Sequence, residues 1–231
     1  MKHPRPANRR TGMRALIVGA LLLLVVLTGT AIIAVMRPAA DSGTGSPAFR
    51  ETRNVAPFKR VSSNGSIQLV IDAKPGAPRI SLAGPRASVA LVKTVVDGET
   101  LTISQTGAVQ RVTAYIAAPG LAGVTSAGGA DVKVSNLASA EFRLDVSGTG
   151  DTELSGKTGA LTISIAGTGD VDASDLDARD ASVTISGTGD AKVRATSSLT
   201  AEVNGTGDLT YYGNPAHVTR SVNGMGSVKP G

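Results

Sequence analysis

One pattern limits this chain more than any other: a Gly-x-Gly corner, usually followed by Asp, recurs at a nearly fixed interval between strand-like stretches. "LDVSGTGDTEL" sets the first corner glycine at Gly148, "ISIAGTGDVDA" at Gly167, "TISGTGDAKV" at Gly187, "AEVNGTGDLTY" at Gly205 and "RSVNGMGSVKP" at Gly224. The intervals are 19, 20, 18 and 19 residues, and a looser copy, "TSAGGADVKV", places Gly128 another 20 residues upstream. A period of this length marks a stacked repeat, in which no unit buries its apolar face alone.

Apolar residues keep step with the glycine. Two positions before it stand Val146, Ile165, Ile185, Val203 and Val222, and six before it Phe142, Leu161, Ala181, Leu199 and Val218. Four before it are Leu144, Ile163, Val183 and Ala201, until Arg220 breaks the column; four after it are Thr152, Val171, Ala191, Leu209 and Val228. A spacing of two is strand periodicity. Each copy therefore reads as a strand, a corner, a second strand and a return. Stacking copies at the strand spacing of about 4.8 Å gives an all-β parallel β-solenoid, or β-helix, with coils of about 19 residues. Its structural corner glycines are Gly148, Gly150, Gly167, Gly169, Gly187, Gly189, Gly205, Gly207, Gly224 and Gly226. Glycine is expected there because it accepts positive φ, and the Asp because its carboxylate accepts turn N–H groups. The last copy drifts, as a terminal coil should.

Upstream, "SNGSIQLVID", "RISLAG", "VALVKTVVDG", "ETLTISQ" and "VTAYIAA" keep the strand alternation without the repeat. Residues 57–120 are expected to form irregular coils of the same stack, with a separate small sandwich as the alternative, and 121–231 the regular repeats. "VDGETLTI" (96–103), "AYIAAPGLAGVTSAGGADV" (114–132) and the corners ending in "NGMGSV" (223–228) together resemble the putative auto-transporter adhesin head GIN domain family of bacteria, over about 57–228. The resemblance implies a two-sheet β-helix without known catalytic residues and suggests a role in adhesion.

Ahead of the repeats, "ALIVGALLLLVVLTGTAIIAVM" (15–36) holds 22 residues without a charge, long enough to span a bilayer core as a helix. Five bases precede it and Arg37 follows. The expectation is a signal-anchor with a cytoplasmic basic tail (1–14), a linker (37–48) and the solenoid (49–231) outside the inner membrane, in the periplasm or beyond. Cleavage near "RPAAD" and a buried soluble helix are the alternatives. The net charge of +5 belongs to this N-terminal part: residues 1–37 carry six bases and no acid, whereas 38–231 carry 17 bases and 18 acids. No basic patch interleaved with aromatics points to nucleic acid. The chain has no cysteine, so disulfides and thiol chemistry are excluded.

Candidates for chemistry are few. The two histidines, His3 and His217, stand far apart, and no Ser-His-Asp spacing appears. Asp151, Asp170, Asp190 and Asp208, with Asp131 as a looser member, fall at one place in successive coils. They are read first as corner caps and second as a candidate metal ladder for calcium. "DVDASDLDARD" (170–180) gathers five Asp around Arg179, which invites comparison with lyases on similar folds. Thr149, Thr168, Thr188 and Thr206 form a polar edge near Tyr211 and Tyr212. The expected function is a tethered binding or scaffold domain that meets an envelope glycan or protein, not an enzyme and without a cofactor. The alternatives are a polysaccharide lyase-like or calcium-dependent enzyme, and an accessory partner of an envelope sensory system.

Overall fold

The computed structural model describes residues 49–231; the expected tail, anchor and linker lie outside the described residues. Among the described residues no helix is long and apolar enough to cross a membrane. The described residues form one compact unit.

The alternating columns become four long strands: β9 (Val132–Val146), β10 (Thr152–Ile165), β11 (Val171–Ile185) and β12 (Ala191–Val203). The strands before them are β1 (Phe49–Asn54), β2 (Arg60–Gly65), β3 (Gln68–Asp72), β4 (Arg79–Gly84), β5 (Val92–Asp97), β6 (Thr100–Gln105), β7 (Thr113–Ala117) and β8 (Gly123–Gly128). One short helix, α1 (Arg86–Val89), lies between β4 and β5, and β13 (Leu209–Tyr212), β14 (His217–Val222) and β15 (Val228–Pro230) complete the chain.

Each long strand runs along one face, bends, and continues along the other. The bend shows as a register slip, for instance between Leu154 and Gly156 where β10 pairs with β9. The first halves form a front face in the order β1-β4-β7-β3-β9-β10-β11-β12-β13-β15. The second halves join a back face that runs β5-β6-β2-β8-β9 and ends at β14. All pairings from β3 and β2 onward are parallel, so the fold is an all-β parallel solenoid of about five turns.

Between the faces lies one continuous core from Phe58 to Val228. Its columns are like on like: Leu144, Ile163, Val183 and Ala201 in one, Val132, Thr152, Val171, Ala191 and Leu209 in another, all buried. Burying such columns strand on strand is the main favourable term available to a chain with 3% aromatics.

The first half joins the same stack, but not in sequence order. The β6–β7 coil lies beneath the earlier β2–β3 coil, and β8–β9 lies above it. The chain reaches the lower level through β4 and β5, which pair antiparallel, as does β1. These strands make a cap. At its edge Arg53 points inward and its guanidinium crosses from β1 to the other face, donating to the Val92 carbonyl at 2.9 Å and the Thr94 hydroxyl at 3.1 Å. The far end closes in the same manner but more thinly. Arg220, at the column position that is apolar in every earlier coil, reaches from β14 to the Val228 carbonyl at 3.4 Å. Val218 and Val222 beside it are 38% and 42% exposed.

Candidate functional site

The corners hold the residues singled out by the repeat, and their geometry gives the glycines a different reason from the expected one. None of the ten glycines of the regular corners has positive φ; that conformation occurs instead at Gly65 (φ +135°) and Gly128 (φ +125°) of the two coils before them. What excludes a side chain at the regular corners is the neighbouring coil. A Cβ on Gly167 would fall on the Gly148 carbonyl oxygen, and one on Gly187 on that of Gly167, closer than the 3.0 Å that real Cβ atoms keep. The carbonyl sits so close because it is a rung: it accepts the N–H of the residue between the two glycines one coil on, from Thr168 at 3.0 Å and from Thr188 at 3.1 Å. Only backbone is used at that middle position, and Met225 fills it in the last coil by donating to Gly205 at 3.0 Å.

The aspartates form a second rung. The N–H of Asp151 donates to the Asp131 carboxylate at 3.2 Å, Asp170 to Asp151 at 3.2 Å, Asp190 to Asp170 at 2.8 Å and Asp208 to Asp190 at 2.7 Å. The acceptor each corner N–H needs is thus supplied by a side chain one coil below, not within its own turn. Ser227 ends the series, donating through N–H at 2.7 Å and through its hydroxyl at 2.9 Å to Asp208. These two bonds from Ser227, with Lys229 nearby, hold the Asp208 carboxyl below the usual carboxylate range.

The "DVDASDLDARD" segment does not gather into a cluster, because β11 carries it round a bend. Asp170 is a rung. Burial pushes Asp172 up, but the Ser174 hydroxyl and N–H and the Lys192 ammonium outweigh this and bring it below its ordinary value. Asp177 lies 3.8 Å from Arg194, and Asp180 is bonded by Ser198 and by Arg179, which is thereby engaged rather than free as a base. Among the described residues no three His, Asp or Glu side chains are placed to hold a metal ion. His217 is exposed on β14, Tyr211 packs against the core, and Tyr212 lies under the Arg194 guanidinium at 5.8 Å.

Beside the aspartates runs a row that periodicity alone does not show. Pairing registers align Thr52, Ser81, Tyr115, Val70, Lys133, Glu153, Asp172, Lys192, Thr210 and Lys229 across the ten strands of the front face. At about 4.8 Å per strand the row is about 43 Å long. Lys133 pairs with Glu153, and Lys192 with Asp172 at 3.5 Å. Four shallow clefts of about 270–370 Å³ lie along this one face. Tyr115, 40% exposed, is the aromatic of the row, and it lies on a strand outside the repeat.

The fold and this face define a class: capped parallel β-solenoids with a long polar outer surface. Residues 57–215 match the family described as "Putative auto-transporter adhesin, head GIN domain", and the chain belongs to that family. Its structure is similar to that of a putative adhesin from Bacteroides fragilis, with 22% identity over 80% of this chain and 98% of that one and a TM-score of 0.64. It is also similar to a putative lipid binding protein from Parabacteroides distasonis, with 18% identity, 80% and 97% coverage and a TM-score of 0.51. At such identities the likeness is one of fold. No curated protein matches the chain.

Proposed function

We propose that this chain is an adhesin-like binding module, held outside the cytoplasm by the apolar segment at 15–36, whose front face contacts an envelope polymer or protein. The observation that carries the reading is the alignment of four clefts along one continuous outward row. A rigid face of this kind suits a linear partner, because successive contacts add as avidity rather than as one deep pocket. Membership of a family described by adhesion supports the same reading. The pairing of the row's charges with one another favours binding over catalysis, since a general base needs a free group of tuned pKa.

The test uses residues 49–231, which contain every core residue and strand pairing described above, against fractionated cell envelope. Reversing Lys133 and Lys192 to Glu is expected to lower retention about tenfold, as loss of central charged contacts does. Arg143→Ala, on the back face, is expected to leave retention unchanged. Equal retention of both variants would remove the front face as the contact surface.

A further inference from the structure

We propose that the cap end of the front face holds a site for one pyranose unit bearing a carboxylate, as found in an acidic polysaccharide. This names a ligand for the face read above as the contact surface, and rests on that reading. The cleft there has about 370 Å³ and is lined by Val70, Asp72, Arg79, Ser81, Tyr115 and Ser135. Its floor is low because Ala117 occupies the centre. Arg79 pairs with Ala117 from β4 and Asp72 pairs with it from β3, so a cation and an anion flank the floor. Their strands are two spacings apart, about 9.6 Å, which leaves room for one sugar ring with a hydrogen bond at each side.

Tyr115 stands two residues before Ala117 on the same side of β7, with Val70 next to it on β3. Together they form the apolar wall that the C–H face of a sugar requires. The Arg50 guanidinium lies over the Tyr115 ring, 5.1 Å from its centroid, and steadies it. On the opposite side Asp72 is already oriented: it accepts from the Asn136 side chain at 2.9 Å and from the Lys74 N–H at 3.2 Å. Asn136 holds positive φ (58°) to make that contact.

The charge of the region selects the kind of sugar. Residues 49–118 carry nine Lys/Arg and four Asp/Glu, whereas 119–231 carry eight and thirteen. Among the described residues neither Arg50 nor Arg79 pairs with a carboxylate. An unpaired guanidinium is the group that takes a carboxylate through two parallel hydrogen bonds.

Calorimetric titration of residues 49–231 with trigalacturonate, maltotriose and phosphatidylglycerol vesicles tests the proposal. Trigalacturonate is expected to bind at least about tenfold more tightly than neutral maltotriose, and Tyr115→Ala and Arg79→Ala are each expected to weaken it about tenfold. Both variants alter exposed side chains, and an unchanged melting transition confirms that they fold. Equal affinity for the two sugars, insensitivity to both substitutions, or binding to the vesicles alone overturns the sugar site. The envelope assay separates the two readings. If retention survives Tyr115→Ala and Arg79→Ala but falls when Lys133 and Lys192 are reversed, the sugar site fails and the face stands. If neither pair of changes matters, both fail.

Discussion

The cap, residues 49–118, and the stack, residues 119–231, share one core but differ in charge, in strand direction and in what holds neighbours together. The cap has five more bases than acids, and the stack has five more acids than bases. In the stack every corner from Gly148 onward repeats the same two rungs, glycine carbonyl to N–H and Asp carboxylate to N–H. In the cap the strands of β1, β4 and β5 turn antiparallel and the end is closed by Arg53. The contrast teaches that repetition is needed where identical corners must fit one on the next, and is dispensable at β1 and β5, each of which pairs with one strand alone.

The widest gap between the two regions is expected at glycine. Gly167→Ala puts a methyl on the Gly148 carbonyl and displaces a backbone rung, and should cost more than about 3 kcal/mol or abolish folding. Gly76→Ala, in the cap, meets nothing within 4 Å and should change stability by less than about 0.5 kcal/mol. Denaturant melts of the two variants check this, and similar losses at both sites would remove the close-stacking explanation.

The next contrast lies in the two closed ends. An inward charge on an edge strand prevents another strand from adding there. Arg220→Val should therefore turn β14, which already exposes Val218 and Val222, into an adhesive edge. Light scattering should show mass rising with concentration in the variant and not in the parent. A variant that stays monomeric would show that the end is closed by other means.

The smallest effect concerns the aspartates. Asp190→Ala removes one acceptor and should cost about 1 kcal/mol, whereas Asp190→Asn keeps an oxygen and should cost less. Protonation can be followed at Asp208, whose folded pKa is lowered by Ser227. Its contribution is present above the carboxylate pKa of the unfolded chain and is lost as the pH falls through the lower folded value. Asp208→Asn should flatten that part of the acid unfolding curve; an unchanged curve would show that the rung does not depend on charge.

Much of this was legible because coil-to-coil contacts in the stack join residues about 19 apart, so like positions declare themselves as columns. Val146, Ile165, Ile185 and Val203 are buried as their spacing requires. The purpose of Gly167 was not legible, since a tight corner and a crowded neighbour demand the same residue. Nor was the row through Tyr115: it joins β4, β7 and β3, whose order in space departs from their order in the chain, and no local pattern encodes such a crossover. The dispersal of Asp170 to Asp180 was hidden because proximity in sequence says little once a strand bends.

The carboxylate of each corner Asp accepts from the coil that follows it, and each corner glycine carbonyl does likewise. The domain therefore behaves as a ruler with interchangeable graduations. A whole coil could be spliced in or removed between Gly148 and Gly205 and every severed rung would find an equivalent mate, changing the reach of the front face by about 4.8 Å a step. Coil number is thus the dimension that the corner chemistry leaves most open.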